Sequence, residues 1–415
     1  MYGSRKDIRY NLTLFFLDGV IFTPAMTLVS VTAVIPYFLE QLGATTFQIG
    51  LAASLALVCN FISQPVFGRI ASHSLMMHKT FGKILLLQRA IFLAFVLCIP
   101  AFAGYGRLMV WLFLFFWGVF NVFVGSYNIF YTPLVLKLLP PDRRGGMRGM
   151  GNAAGSLLGV GAAALIPVIL ERAAFPRNYT LVFSIGCVLM LIDAVLFLIM
   201  RMPGDTEPNI PMGVFQYIRE MPSAVRVNAP FRAMVLTCMF LVVSNALLAY
   251  YTLYAIRVFS ATEQQVGALA ALAVISGAVG YVVFGFTVDR KGPRFTAAIS
   301  AALVVISGAL ALSTHSLGPL YAAWVLANLG SSCYMVSVSL LLGMVSPPAK
   351  LPLYVGVNAV VSLGLSALVL LVLAPALESV GFMPLFATVF ACGATSLLIN
   401  MFVLRPRLAA LEGER

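Results

Sequence analysis

Hydrophobic residues run along this chain in long stretches rather than in short alternating groups. Each stretch is long enough to cross a bilayer as a helix, because about 20 apolar residues span the hydrocarbon core. The pattern therefore predicts an all-α membrane protein with twelve transmembrane helices and short loops. The runs fall at about 11–38, 48–68, 82–103, 107–137, 149–170, 178–201, 232–257, 263–287, 294–314, 318–345, 351–377 and 382–404.

Composition excludes the main soluble classes. Of the 415 residues, 61% are hydrophobic and 10% are charged, whereas soluble domains average about 45–50% and about 25%. No soluble core could bury so many apolar side chains. A soluble enzyme, a disordered regulator and a nucleic-acid binder are therefore excluded.

The distribution of basic residues predicts the orientation of the chain. With both termini in the cytoplasm, 22 of the 26 Lys and Arg residues fall in inner segments, Arg89 among them, and 4 fall outside. Such a bias is typical of membrane proteins. It accounts for the net charge of +12 without a nucleic-acid partner, and it favours a multi-pass protein of a bacterial-type plasma membrane with cytoplasmic termini.

The longest connection divides the chain into three parts. We expect an N-terminal six-helix bundle at 1–201, a cytoplasmic linker at 202–231 and a C-terminal six-helix bundle at 232–415. Within the linker, PMGVFQYIREMPSAV is typical of an amphipathic helix on the membrane surface.

The two halves resemble each other, which indicates an internal duplication. Rare residues such as Trp keep one register, and this is unlike a chance match between apolar helices. The sequence therefore predicts two pseudo-symmetric bundles, the arrangement in which secondary transporters place a central site. A shift of 217 residues aligns Gln48 with Gln265 and Gly68 with Gly285, and a shift of 207 aligns Trp117, Asn121 and Tyr127 with Trp324, Asn328 and Tyr334.

One loop carries a family resemblance. The segment GFTVDRKGPR, at 285–294, resembles the GxxxDRxGxR signature of the major facilitator superfamily, and its first-half counterpart has Ser72 in place of the acid. The resemblance implies that spans one, four, seven and ten line a cavity and that spans three, six, nine and twelve lie outermost. It also implies that Asp289, in a loop with Arg290 and Arg294, approaches the inner end of span five and stabilises the state closed to the cytoplasm.

A second gate is suggested by the repeat. Glu40 and Arg257 fall at equivalent positions, at the outer ends of spans one and seven. They could meet as an ion pair when the halves close outside. The alternative is two solvated loop charges.

Two carboxylates, Asp18 and Asp193, lie well within predicted spans. A carboxylate there is costly unless it is paired, wet or protonated. Two interpretations of Asp18 stay open: it binds protons or substrate, or it anchors a helix end by hydrogen bonds. For Asp193, near the inner end of span six, packing or snorkelling is favoured.

The candidate cavity residues are aromatic or weakly polar and suit a neutral or amphipathic solute. The alternative is that they pack helices together. No histidine lies in a span and the cysteines have no metal-binding spacing, so we expect no metal and no cofactor. The substrate-site candidates are Trp117, Asn121, Tyr127, Tyr250, Tyr254, Trp324, Asn328 and Tyr334.

Together these features predict a secondary transporter that moves a small organic solute by alternating access, without an ATP-binding loop. Proton coupling through Asp18 is one expectation, and a uniporter or a flippase for a lipid-like solute is the alternative. An intramembrane enzyme is remote because no catalytic motif falls within a span. The expected partners are the solute, protons and membrane lipids, and the expected state is a monomer.

Overall fold

The computed structural model describes residues 4–30, 34–202 and 213–408. Within these ranges the chain folds into α-helices joined by short turns. The helices are α1 (Arg5–Leu28), α2 (Val34–Gln41), α3 (Thr46–His73), α4 (Met77–Phe102), α5 (Gly106–Val124), α6 (Ser126–Leu138), α7 (Arg144–Arg172), α8 (Arg177–Leu198), α9 (Val214–Val227), α10 (Ala229–Ala246), α11 (Ala249–Phe259), α12 (Glu263–Lys291), α13 (Pro293–Leu312), α14 (Leu317–Val345), α15 (Leu351–Val380) and α16 (Met383–Leu398), which continues into a π-helical segment, Ile399–Leu404.

Twelve segments of the described chain are long and apolar enough to cross a membrane. They overlap the twelve predicted spans one for one, so the prediction of a twelve-helix membrane protein is confirmed. Spans two and eight begin with the same capping box. The side chains of Gln48 and Gln265 each accept a hydrogen bond, at 2.9 Å, from the backbone of Thr45 and Thr262. This local structure explains why the two glutamines align in the repeat.

Three spans are interrupted, although the sequence predicted continuous helices. Span one breaks after Leu28, span four breaks at Gly125, and span seven breaks between Ala246 and Ala249. The breaks in spans one and seven coincide under the shift of 217 residues. Hydropathy could not reveal them because the apolar run continues through each turn.

The helices form two compact units. The first contains Met1–Leu139 and Ala154–Tyr217, and the second contains Pro140–Ala153 and Ile218–Arg415. The beginning of α7 therefore groups with the second unit, and α9 is shared between the units. The boundaries predicted from the sequence did not include this exchange of the 140–153 segment.

Each unit uses the same set of helix pairings. In the first unit, α4 packs on α8 and α5, α8 also packs on α1, and α3 packs on α5. In the second, α13 packs on α16 and α14, α16 also packs on α10, and α12 packs on α14. These pairs correspond span by span, which is the pseudo-symmetry that the repeat predicted.

The repeated tryptophans secure one of these pairings in each unit. The indole Nε1 of Trp117 donates to the carbonyl of Ala52 at 3.0 Å, and that of Trp324 donates to the carbonyl of Leu269 at 2.8 Å. Ala52 and Leu269 are themselves equivalent under the shift of 217. The duplication has thus kept both the donor and its acceptor.

Spans two and four, and their counterparts eight and ten, are also in contact through one serine and one glycine. The helix that carries the serine differs between the two units. A Cβ added to Gly125 would overlap the Ser63 hydroxyl, whereas a Cβ added to Gly280 would lie 2.8 Å from the Cβ of Ser332. Ser63 is equivalent to Gly280, and Gly125 is equivalent to Ser332. Each crossing therefore holds one serine and one glycine, but on opposite helices.

The linker contains the predicted amphipathic helix, α9, at Val214–Val227. The predicted segment began at Pro211, and its first residues lie outside the described chain. Tyr217 is buried against Gly68, where any side chain would overlap its ring, and burial raises the pKa of its hydroxyl. In the second unit, Lys350 donates to Glu220 at 2.9 Å.

Candidate functional site

A buried ion pair lies within the first unit. Arg89 Nη2 is 3.2 Å from Asp193 Oδ2, and the two side chains are 2% and 0% exposed. Arg89 is near the middle of α4 and Asp193 is near the end of α8. Removing two charges from water is costly unless they are well paired. A pair held at this depth therefore needs further polar partners.

This pair corrects two expectations. Arg89 was counted among the inner flanking residues, but α4 begins at Met77, five residues before the predicted span, so Arg89 is interior to the helix. Asp193 does not snorkel, because its side chain is fully buried and faces Arg89. Sequence reasoning missed the pairing because it assessed each charge within its own span.

Asp18 belongs to the same cluster. It is 2% exposed, and the Tyr127 hydroxyl donates to its Oδ1 at 3.3 Å. Its carboxyl group is also close enough to that of Asp193 for the two charges to repel each other. Asp18, Asp193 and Arg89 therefore form one buried cluster of two carboxyl groups and one guanidinium.

Neighbouring groups fix the guanidinium. Arg89 Nη1 donates to the Gln88 side chain, and Nε donates to the carbonyl of Met190 at 3.3 Å. Gln88 in turn donates to the carbonyl of Phe120 at 2.9 Å. These bonds orient Arg89 between α4, α5 and α8, with its charge facing Asp193.

A cavity of about 150 Å³ borders this cluster. Tyr127 and Arg89 both line it. Tyr127 also contacts Asp18, and Arg89 also contacts Asp193, so these two side chains connect the cavity with the carboxyl groups. Its wall combines aromatic rings with amide side chains, which can stack on a solute and exchange hydrogen bonds with it. The lining residues are Phe22, Met26, Asn60, Gln88, Arg89, Phe120, Val124, Tyr127, Asn128 and Met190.

Close packing of α1 on α7 places Asp18 in the interior. A Cβ on Gly155 would overlap the carbonyl of Gly19, and a Cβ on Gly159 would lie 3.2 Å from the Thr27 hydroxyl. Gly155 and Gly159 therefore lie on the face of α7 that packs against α1. Gly19 follows Asp18 directly, so the contact also fixes the neighbouring carboxylate.

The other predicted substrate residues do not line this cavity. Besides the tryptophan contacts above, Asn121 Nδ2 donates to the carbonyl of Trp117 at 2.8 Å, and Asn328 Nδ2 to that of Trp324 at 2.9 Å. The indoles therefore join neighbouring helices, as the alternative from the sequence had it, whereas the asparagine amides bond to the backbone of their own helices. Tyr127 is the member of the first trio that reaches the cavity.

The predicted residues of the second unit occupy two environments. Tyr334 is buried against Cys238 and Asn358. Tyr254 packs on Phe259, Phe382 and Phe386, and Tyr250 is half-buried at the start of α11. Their assignment to a solute site stays a prediction.

Asp289 makes the contact that the loop resemblance implied. Its Oδ1 accepts from the Gly145 backbone N–H at 2.7 Å, and its Oδ2 accepts from Gly146 at 2.6 Å. These amides belong to the first turn of α7, where helix N–H groups are unpaired and favour a negative charge. The contact is present as expected, whereas its role in gating stays a prediction.

The remaining gating candidates lie at helix ends. Arg290 is exposed in the last turn of α12, and the Arg294 carbonyl accepts from Asn400 at 3.4 Å. Glu40 is exposed near the end of α2, and Arg257 is exposed in the last turn of α11. The proposed outer gate of Glu40 and Arg257 stays a prediction.

Comparison with known proteins identifies a matching family and solved structures with a similar fold. Residues 16–349 match the family described as "MFS/sugar transport protein". The E. coli fucose:proton symporter FucP, in its N162A form, shares 17% identity and a TM-score of 0.70, with 97% of this chain and 98% of that chain covered. The proton:xylose symporter XylE shares 14% and 0.72, covering 98% and 99%. The human organic anion transporter MFSD10 shares 16% and 0.74, covering 95% and 99%. No curated protein matched the chain.

The family match over most of the chain, together with twelve helices long and apolar enough to cross a membrane, shows a transporter of the major facilitator superfamily. Within that superfamily, the chain belongs to the MFS/sugar transport protein family, whose match covers most of its length.

Proposed function

We propose that this protein is a proton-coupled secondary transporter that moves a small neutral or amphipathic solute across the plasma membrane by alternating access. The observation that carries the proposal is the buried set of two carboxyl groups and one guanidinium beside a cavity. The fold and family support transport in general. The buried cluster supports the coupling to protons.

The coupling follows from the charge balance of the cluster. When Asp18 and Asp193 are both ionised, Arg89 neutralises one of them and leaves one negative charge in a dry site. Such a charge is unstable unless a proton or another cation joins it. One bound proton balances the site. A solute in the cavity contacts Tyr127 and Arg89, and it can thereby change the affinity of the cluster for that proton.

The cavity supports a solute with hydroxyl groups and at least one apolar face. Phe22 and Tyr127 stack with ring centroids 5.2 Å apart, which provides an aromatic surface. Asn60, Gln88 and Asn128 offer both hydrogen-bond donors and acceptors. Two solved relatives are named as sugar:proton symporters. A sugar-like molecule is therefore our first candidate solute.

The test is transport in proteoliposomes under an imposed pH gradient, after a thermal-shift screen of sugars and related solutes. We expect solute flux to follow the proton gradient in the wild type. Asp18→Asn should abolish that dependence while solute exchange without a gradient persists. Glu171→Gln, an exposed carboxylate change at the end of α7, is the matched control and should leave coupling intact. Unchanged pH dependence in Asp18→Asn would refute the assignment.

The alternative functions have distinct outcomes in the same assay. A uniporter would show solute flux with no response to pH, and a flippase would move a labelled lipid-like solute between leaflets. The proposed orientation, with both termini in the cytoplasm of a bacterial-type cell, is checked by reporter fusions at each end. Hydrolysis or modification of the solute during transport would instead indicate an enzyme.

A further inference from the structure

A long part of the first unit contains no acidic residue. Between Glu40 and Asp142 there is neither an Asp nor a Glu. Exposed basic residues nevertheless gather where α3 ends and α4 begins: Arg69, His73, Lys79 and Lys83. None of the four forms an ion pair with a carboxylate among the described residues. The charge at this end of the unit is therefore available to an anion from outside the protein.

The basic residues surround a concave site. A cleft of about 470 Å³ lies between the two helix ends and is lined by Arg69, Ile70, His73, Ser74 and Thr80. Ser74 and Thr80 are linked through their hydroxyl groups at 2.7 Å, which fixes the turn between the helices. Lys83 follows Thr80 by one turn, so its side chain lies on the same side of α4.

Apolar side chains continue directly from the charges along both helices. On α3, Ile62, Val66 and Ile70 are exposed at intervals of four residues and form one stripe. On α4, the stripe that begins with Lys79 and Lys83 continues at Leu87, which is 53% exposed. Each helix therefore presents cations at its end and an apolar surface beyond them.

We propose that this surface binds an anionic phospholipid. The phosphate of the headgroup lies among Arg69, Lys79 and Lys83, and the acyl chains lie along the two apolar stripes. A free phosphate ion would contact only the basic residues. A phospholipid would contact both parts of the surface, with its charged headgroup at the helix ends and its acyl chains along the apolar stripes. This inference does not depend on the solute or on proton coupling.

The experiment compares lipid binding to purified, delipidated protein. Phosphatidylglycerol, phosphatidylcholine and inorganic phosphate are titrated separately, with bound lipid counted by native mass spectrometry and stability followed by thermal shift. We expect phosphatidylglycerol to bind and to raise the melting temperature, with little effect of the other two. The triple variant Arg69→Gln/Lys79→Gln/Lys83→Gln should bind phosphatidylglycerol at least about tenfold more weakly.

Two controls keep the result interpretable. The variant Arg107→Gln/Arg172→Gln/Arg177→Gln removes three exposed cations from the opposite ends of the spans and should bind phosphatidylglycerol like the wild type. The variant Lys79→Arg/Lys83→Arg keeps the charge and should also bind normally. Equal losses in both triple variants, full retention by the first one, or an equal response to inorganic phosphate would each overturn the proposal.

Discussion

At the scale of single residues, Arg89 has the largest expected effect on stability. Among the described residues it supplies the positive charge that faces Asp193, and it also bonds to the backbone of α8. Without it, two buried carboxyl groups would face each other with no counter-charge. Its side chain therefore contributes to folding as well as to the proposed proton binding.

We predict that Arg89→Met lowers the free energy of unfolding by about 3–5 kcal/mol at neutral pH. The deficit should shrink as the pH falls, because protons neutralise the carboxyl groups that have lost their partner. Thermal unfolding at pH 8 and pH 5 measures both effects. Arg226→Met, which alters an exposed arginine of α9, should change stability by less than about 0.5 kcal/mol. A deficit that does not vary with pH would contradict the charge account.

The repeated tryptophans provide a second prediction. Trp117→Phe and Trp324→Phe each remove one hydrogen bond between helices, to the carbonyl of Ala52 or Leu269, and replace the indole by a smaller ring. We expect each change to lower stability by about 1–3 kcal/mol, through the lost bond and the void, and to leave solute affinity unaltered. Melting temperature and solute binding are measured on the same samples. A loss of solute affinity at unchanged stability would instead indicate that the tryptophans bind the solute.

The sequence identified some of these residues and missed others for a definable reason. Asp18 could be found because a lone carboxylate in an apolar run is conspicuous by itself. Arg89 and Asp193 acquire their role from each other, and they lie 104 positions apart in the chain. Two opposite charges, each isolated within an apolar helix, were the available signal. Asn60, Gln88 and Asn128 had no such signal.

At the scale of secondary-structure elements, the two loop motifs differ in what they contact. In the second unit, Asp289 bonds to the first turn of α7. In the first unit, the Ser72 hydroxyl donates to the carbonyl of Arg69 in its own helix at 2.8 Å. The motif of the first unit has no matching acid. The ring of Tyr217, from α9, packs against the neighbouring Gly68 instead.

We therefore predict that Asp289→Asn raises accessibility from the cytoplasmic side, because the helix end loses its negative partner. A cysteine introduced near the inner end of span five and labelled with an impermeant maleimide reports this change. Ser72→Ala should leave the labelling rate close to that of the wild type. Equal acceleration by both substitutions would contradict the asymmetry between the halves.

Gly68 gives a prediction about the linker. A side chain at this position overlaps the Tyr217 ring, so Gly68→Ala should displace the start of α9. The phenol would then become exposed, and its raised pKa should fall towards the ordinary value. Spectrophotometric titration of a variant lacking other accessible tyrosines measures this shift. Gly43→Ala tests another glycine of the unit, which has open space but a positive φ, and it should leave the Tyr217 titration unchanged.

At the scale of the whole molecule, the number of spans and the duplication were both predictable. Span number follows from hydropathy because the bilayer sets a minimum length for each helix. The duplication follows from rare residues in register. The interruptions of spans one, four and seven and the transfer of the 140–153 segment to the second unit were not predictable, since they depend on contacts between distant helices.

The serine and glycine pairs test how strictly the units correspond. Gly125→Ser should destabilise the protein by about 1–3 kcal/mol through overpacking against Ser63. The double variant Gly125→Ser/Ser63→Gly copies the arrangement of Gly280 and Ser332 and should recover much of that loss. Denaturation midpoints of the two variants give the comparison. No recovery would mean that the backbone of Asn60, 2.8 Å from the added Cβ, sets the limit.

The reversal of these pairs has a consequence for the ancestry of the chain. At this crossing a serine fits on one helix only where the facing residue is glycine, so a change on one helix requires a matching change on the other. Chimeras follow the same constraint. Grafting span two onto the second half without span four brings two serines together, whereas the reciprocal graft brings together two glycines and opens a void. The two contacting spans can therefore be exchanged between the halves only as a pair.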